Sequence, residues 1–170
     1  MVICCIHNNI RLAFVVIATT ILYTMANPLS DNQLNAWKSL LNAHAAAVGA
    51  IEARLHASGK IPLTWYDVLW SLHKAGGHLR FRALQDEIVL SRSALSRSVD
   101  ALARRKLVRK EACPDDQRGV EVVLTEAGKS ALADAWPVYS SGIKEHFARH
   151  FTDDECGRLA AILGRVLPTQ

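Results

Sequence analysis

Residues 90–124 read LSRSALSRSVDALARRKLVRKEACPDDQRGVEVVL, and this stretch decides the fold. Ser91 stands where a side-chain oxygen can accept from the first unpaired N–H groups of a helix, so it is the expected N-cap. Behind it, Leu95, Ser98, Val99 and Leu102 share one helical face, while Ser93, Arg97, Asp100 and Arg104 share another. Leu107-Val108-Arg109 and Val120-Glu121-Val122-Val123-Leu124 are short and rich in β-branched residues. With the tip Asp115-Asp116-Gln117-Arg118-Gly119 between them, they predict a two-stranded hairpin. Such a unit can set a helix in one DNA groove and a charged tip in the next. The polar helix face is the candidate reader.

Charge sharpens that expectation. The 170-residue chain has a formal net charge of only +4, with 20 Lys and Arg against 16 Asp and Glu. Between positions 80 and 118, however, ten basic residues face six acids, and the remainder of the chain is neutral. All the excess positive charge lies in about a quarter of the chain, the footprint of a phosphate-contacting surface.

Half of the residues are hydrophobic and 6% aromatic, which fits one globular, mainly helical domain with a sizeable core. Cys4, Cys5, Cys113 and Cys156 show neither a CxxC pair nor ligand-like spacing, so no disulfide framework, structural metal or cofactor is expected. A reducing cytoplasm suits them. No GxSxG, HExxH, P-loop or GxGxxG motif is present, and the chain is not read as an enzyme. The first 26 residues differ from the rest: after Arg11, Leu12 to Met25 carry no charge and resemble a signal-peptide core, too short for a convincing membrane span. They are read as an apolar extension or misassigned start, because Met25-Ala26-Asn27-Pro28 makes a natural beginning and a DNA-binding body has no target outside the cell. An exported or tethered interaction protein is the rival reading.

Outward from the reader, Ser30-Asp31-Asn32-Gln33, Thr64-Trp65-Tyr66-Asp67 and Thr152-Asp153-Asp154-Glu155 each resemble a capping box and predict helix starts. After the first, Leu34, Trp37, Leu41, His44, Val48, Ile51 and Leu55 alternate at spacings of three and four, a heptad stripe suited to a partner helix. His44 on that stripe is read as a buried histidine. Gly76-Gly77 ends a second helix, a third covers roughly 81–88, and Thr125 caps a long helix in which Pro137 predicts a kink or break. A last helix runs over about 153–167. The expected organisation is an extension at 1–26, an N-terminal dimerisation helix at 27–60, a winged helix-turn-helix at 61–125 and C-terminal dimerisation helices at 126–170. Both ends carry apolar stripes that a core this small does not absorb, hence a shared homodimer interface and no membrane.

Four segments in order resemble the MarR family of bacterial transcription regulators across nearly all of 30–167. They are Leu63-Thr64-Trp65-Tyr66-Asp67-Val68-Leu69, the reader from Leu90 to Leu102, Asp116-Gln117-Arg118-Gly119, and Leu124-Thr125-Glu126-Ala127-Gly128. Arg105-Lys106 departs from the pattern where the family has Lys-Gly or similar, which bears on the turn before the first strand. The resemblance implies a homodimer on a pseudo-palindromic operator, released by a small molecule or oxidant. Arg92, Ser93, Ser96 and Arg97 are then the candidates for base edges and phosphates, arginine on guanine being the commonest specific contact. Arg118 at the tip suits a narrow minor groove, with Asp116 orienting it as in the family, and Arg104, Arg105 and Lys110 meet phosphate or water.

For the effector, Asp67, Arg97 and Arg109 resemble part of the ligand and relay set of the urate-responsive branch, with Trp37 as an aromatic wall. An unspecified aromatic or phenolic acid is the favoured ligand, its site drawn from Trp37, Trp65, Tyr66, Trp70, Asp67 and Arg109. The plainer roles are a capping partner of Thr64 for Asp67 and core packing for the aromatics. A redox trigger at Cys113 or a metal at His146 and His150, four apart on an expected helix, are alternatives.

Overall fold

The structure, a computed structural model, describes residues 29–113 and 116–167, and no side chain within 113–118. Expectations for residues 1–26, and for the side chains of Cys113, Asp116 and Arg118, therefore lie outside the described residues. In chain order the elements are α1 (Asp31–Ala57), α2 (Leu63–Lys74), β1 (His78–Arg80), α3 (Phe81–Glu87) and α4 (Arg92–Arg104). Then come β2 (Val108–Cys113), β3 (Asp116–Leu124), α5 (Glu126–His146), a 3-10 turn (Ala148–His150) and α6 (Asp153–Gly164).

Local chemistry sets most of the helix starts. Ser91 Oγ accepts from the N–H of Ala94 at 3.2 Å and begins α4. Thr152 and Glu155 form a reciprocal capping box on α6, and Ser30 with Gln33 does the same for α1. The predicted box at Thr64 and Asp67 does not form. Pro62 holds the N-cap position of α2 without a side-chain bond, and the first helical N–H, that of Leu63, is taken at 2.9 Å by the Glu52 carboxylate from α1. A carboxylate at that end also meets the positive pole of the helix dipole.

The sheet has three strands, not two. β3 sits in the middle, antiparallel to β2 and to β1, with Leu79 opposite Val122. Gly76 and Gly77, at φ 83° and 104°, make the turn from α2 into β1, a conformation that costs residues with a Cβ. β2 and β3 also extend beyond the predicted strands to Cys113 and from Asp116, with an irregularity in the register between Ala112 and Cys113.

Leu55, Leu69, Leu72, Leu84, Leu95 and Leu102 are fully buried and join α1, α2, α3 and α4 in one core, which Val122 of β3 completes. Each buried leucine contributes about 1.5–3 kcal/mol of transfer free energy. The carboxy-terminal half of α1 packs on α5: Gly142 lets Ile51 come so close that an added Cβ would lie 2.9 Å from its Cγ1. Arg54 pairs with Glu145, and Lys60 Nζ with Asp134 at 2.6 Å. The described residues up to Ala43 belong to a different unit from those that follow. There Trp37, Leu40 and Leu41 are exposed, and so is His44 just beyond, contrary to its reading as a buried histidine.

α5 runs unbroken through Pro137, so the expected break does not occur. Leu132 and Ala135 before the proline and Gly142 after it are all buried, so packing holds the helix on both sides of the missing N–H. The helix ends instead at His146, because Phe147 leaves helical geometry (φ −137°, ψ −69°). His150 then belongs to the 3-10 turn, and the two histidines do not share a helix face. Among the described residues no group of three or more His, Cys, Asp or Glu is placed to hold a metal, and no helix is long and apolar enough to cross a membrane.

Candidate functional site

α4 buries Leu95, Val99 and Leu102 against the core and leaves Arg92, Ser93, Arg97 and Arg104 exposed, with Ser96 at the edge. Amphipathicity thus orients the reader: the face that cannot be buried is the one that carries hydroxyls and guanidinium groups. Ser93 Oγ lies 3.2 Å from Ser91 Oγ at the helix start. Among the described residues Arg92 and Arg97 make no ion pair, so their charge is available to an anion. Asp100 is already taken, since the Lys110 ammonium on β2 pairs with it and holds its carboxyl below the usual range. Lys110, expected at phosphate, thereby ties reader to wing.

Other basic residues of the stretch are engaged as well. The Arg109 guanidinium pairs with Glu111 at 3.1 Å, and the Arg105 guanidinium carbon lies 5.4 Å from the centre of the Trp65 ring. Lys106 closes the turn at φ 61°, the left-handed conformation in the place where a glycine is usual. The turn is held from the far side. Thr125 Oγ1 lies 2.8 Å from the carbonyl of Lys106 and 2.9 Å from that of Leu107, and it accepts from the N–H of Gly128 at 3.1 Å. Gly128 admits no side chain, because a Cβ there would lie 2.2 Å from the Leu107 carbonyl oxygen. The start of α5 is therefore pressed against the base of the wing.

A second site lies between α2 and α5. A cavity of about 610 Å³ is lined by Tyr66, Asp67, Trp70 and His73 on one side and by Lys129, Leu132, Ala133, Trp136, Tyr139 and Ile143 on the other. That volume suits a small organic ligand. Tyr66 is 4% exposed and forms the floor. Its ring lies 4.7 Å from that of Tyr139, edge-on, and 6.5 Å from those of Trp70 and Trp136, both nearly parallel to it. The two tryptophans remain 44% and 51% exposed, large aromatic faces left open toward the cavity.

Asp67 supplies the cavity's acid. Desolvation, and then the nearby Glu52 carboxylate, push its carboxyl above the usual range. Burial raises the Tyr66 and Tyr139 hydroxyls too, with the Asp67 charge contributing to both. Of the residues expected at a ligand, the structure brings Tyr66 and Asp67 together here, and Trp70 with them. Trp65 turns instead to Arg105, Arg109 lies on the wing, and Trp37 belongs to the N-terminal unit. Trp136 and Tyr139 join them beyond the sequence expectation, and their spacing with Leu132 and Ile143 on one face of α5 is the signal the sequence carries for it.

No curated protein matches the chain. The family model described as MarR family matches residues 60–119, from the start of α2 to the wing tip. The chain is similar in structure to AbsC, a MarR family transcriptional regulator from Streptomyces coelicolor, at 26% identity and TM-score 0.74, over 82% of this chain and 95% of that one. It is similar as well to Sco3205 from the same organism, a MarR family regulator solved in complex with DNA, at 25% identity and TM-score 0.76, over 82% and 88%. BpsR from Bordetella bronchiseptica, whose DNA binding is regulated by 6-hydroxynicotinic acid, shares the fold at 19% identity and TM-score 0.70, over 78% and 98%. The family model thus matches the part of the chain from the start of α2 to the wing tip, and along four fifths of the chain the fold is similar to that of MarR family transcriptional regulators.

Proposed function

We propose that the chain acts in the cytoplasm as a homodimeric repressor, gripping a pseudo-palindromic operator and releasing it when a small aromatic molecule fills the cavity between α2 and α5. The observation that carries the DNA reading is the exposed face of α4, where Arg92 and Arg97 have no ion pair among the described residues and Ser93 and Ser96 stand beside them. These residues take base edges and phosphates, Arg104 takes phosphate, and Arg118, oriented by Asp116, takes the minor groove. Tyr66 and Asp67 serve the effector. The aromatic walls support a ring-bearing ligand, as does the likeness to a protein regulated by 6-hydroxynicotinic acid.

Titrating the purified protein against fragments of the DNA upstream of its own gene, at several salt concentrations, tests this reading. Binding with half-sites about one helical turn apart and a steep negative salt dependence is expected. Salt-independent binding, or none to any nearby promoter fragment, overturns it.

A further inference from the structure

The cavity has a charge preference as well as a shape. Asp67 is partly buried in its wall, and among the described residues no Lys, Arg or His pairs with it, while the charge that acts on it is that of another carboxylate, Glu52. The cation at the rim is already engaged, since Lys129 Nζ lies 2.7 Å from Glu126. His73 lies against Trp70 at 5.7 Å and is exposed. Tyr66, Trp70, Trp136 and Tyr139 add four ring systems, whose faces carry the negative end of the aromatic quadrupole. Two open tryptophan faces that share a lining with an acid lacking a counter-ion among the described residues form a surface complementary to positive charge. A phenolic acid, the ligand that the sequence resemblance favours, would bring a second anion beside Asp67.

We propose that the cavity takes an organic cation, an aromatic or alkyl-substituted ammonium, with Asp67 as its counter-ion and Trp70 and Trp136 as its walls. This assignment rests on the reading of the cavity as the effector site, and it fixes the effector's charge. A substituted ammonium fits better than a bare metal ion, because the walls offer carbon faces and a single carboxylate in place of several oxygen ligands.

Calorimetric titration of the full chain with three probes tests it: benzyltrimethylammonium, benzyl tert-butyl ether as an uncharged analogue of similar shape, and salicylate. The ammonium is expected to bind roughly tenfold or more tighter than the ether, with salicylate weakest. Asp67→Asn should abolish the preference for the ammonium over the ether, and Trp70→Leu, at a half-exposed position, should weaken the ammonium without removing that preference. Thermal unfolding of both variants verifies that they are folded. Salicylate binding tightest and losing affinity in Lys129→Gln overturns the proposal, as does failure of all three probes to bind or to be told apart. Adding each probe to the protein bound to DNA separates the two readings. Binding of the ammonium without release of DNA sinks the effector role and leaves the ligand class standing, whereas release by salicylate alone does the reverse.

Discussion

Lys106 holds φ 61° with a full side chain, in a turn that glycine would make without strain. Lys106→Gly is therefore expected to stabilise the fold by about 0.5–1 kcal/mol, the relief of left-handed strain less the entropy glycine loses on folding. A denaturant midpoint that falls would show that the lysine has another task at the turn. Asp67 is the second residue whose conformation or charge opposes stability. Its folded carboxyl titrates above the unfolded one, so its ionised form costs stability at neutral pH, and that cost fades as pH falls through the raised folded value. Asp67→Asn should accordingly raise the melting temperature at pH 7, with the advantage shrinking in acid. An advantage that does not change between neutral and acidic pH would argue against an ionised Asp67. Ser91, Thr125 and Thr152 were legible as caps because a cap bond spans three residues. Thr64 misled because the competing acceptor, Glu52, comes from another helix 11 residues from Leu63.

Among the elements, α4 and the wing strands were legible from periodicity, since each must hide one face. β1 was not. Three residues are too few to show a period, and His78–Arg80 becomes a strand only because β3 has a free edge to pair with. Pro137 misled in the opposite sense: a proline costs about 3 kcal/mol in an exposed helix, but Leu132, Ala135 and Gly142 anchor α5 around it. The reader itself is open to measurement. Arg97→Ala should cost roughly 1–3 kcal/mol of operator affinity and relax sequence preference at one position. Arg118→Ala should weaken operator binding with the fold retained. Arg97→Ala losing affinity equally for all sequences would move that side chain from bases to phosphate.

For the whole molecule, the apolar stripe of α1 grows more buried toward its end, from exposed Trp37 and Leu41 to Ile51 at 4% and Leu55 at 0%. The buried half belongs to this chain's core, and the exposed half is apolar surface that the described residues leave open, as are Ile162, Val166 and Leu167 in the other unit. A homodimer is expected in sedimentation, and Leu41→Asp should shift it to monomer and lower operator affinity at least tenfold, since two half-sites are then no longer held together. A variant that stays dimeric would locate the interface elsewhere. The cavity was the least legible feature at this scale. It needs two helices separated by more than 50 residues to meet, and no local pattern records that meeting.

The hydroxyl of Thr125 touches the carbonyls that follow the reader helix and caps the helix that walls the cavity. Lys129, at the cavity rim, stands one helical turn further along, a rise of about 5.4 Å. Mechanically this makes Thr125 a pivot shared by two arms of very unequal length. If α5 tilts at the rim, the contacts of Thr125 are where that tilt is expected to reach the wing base.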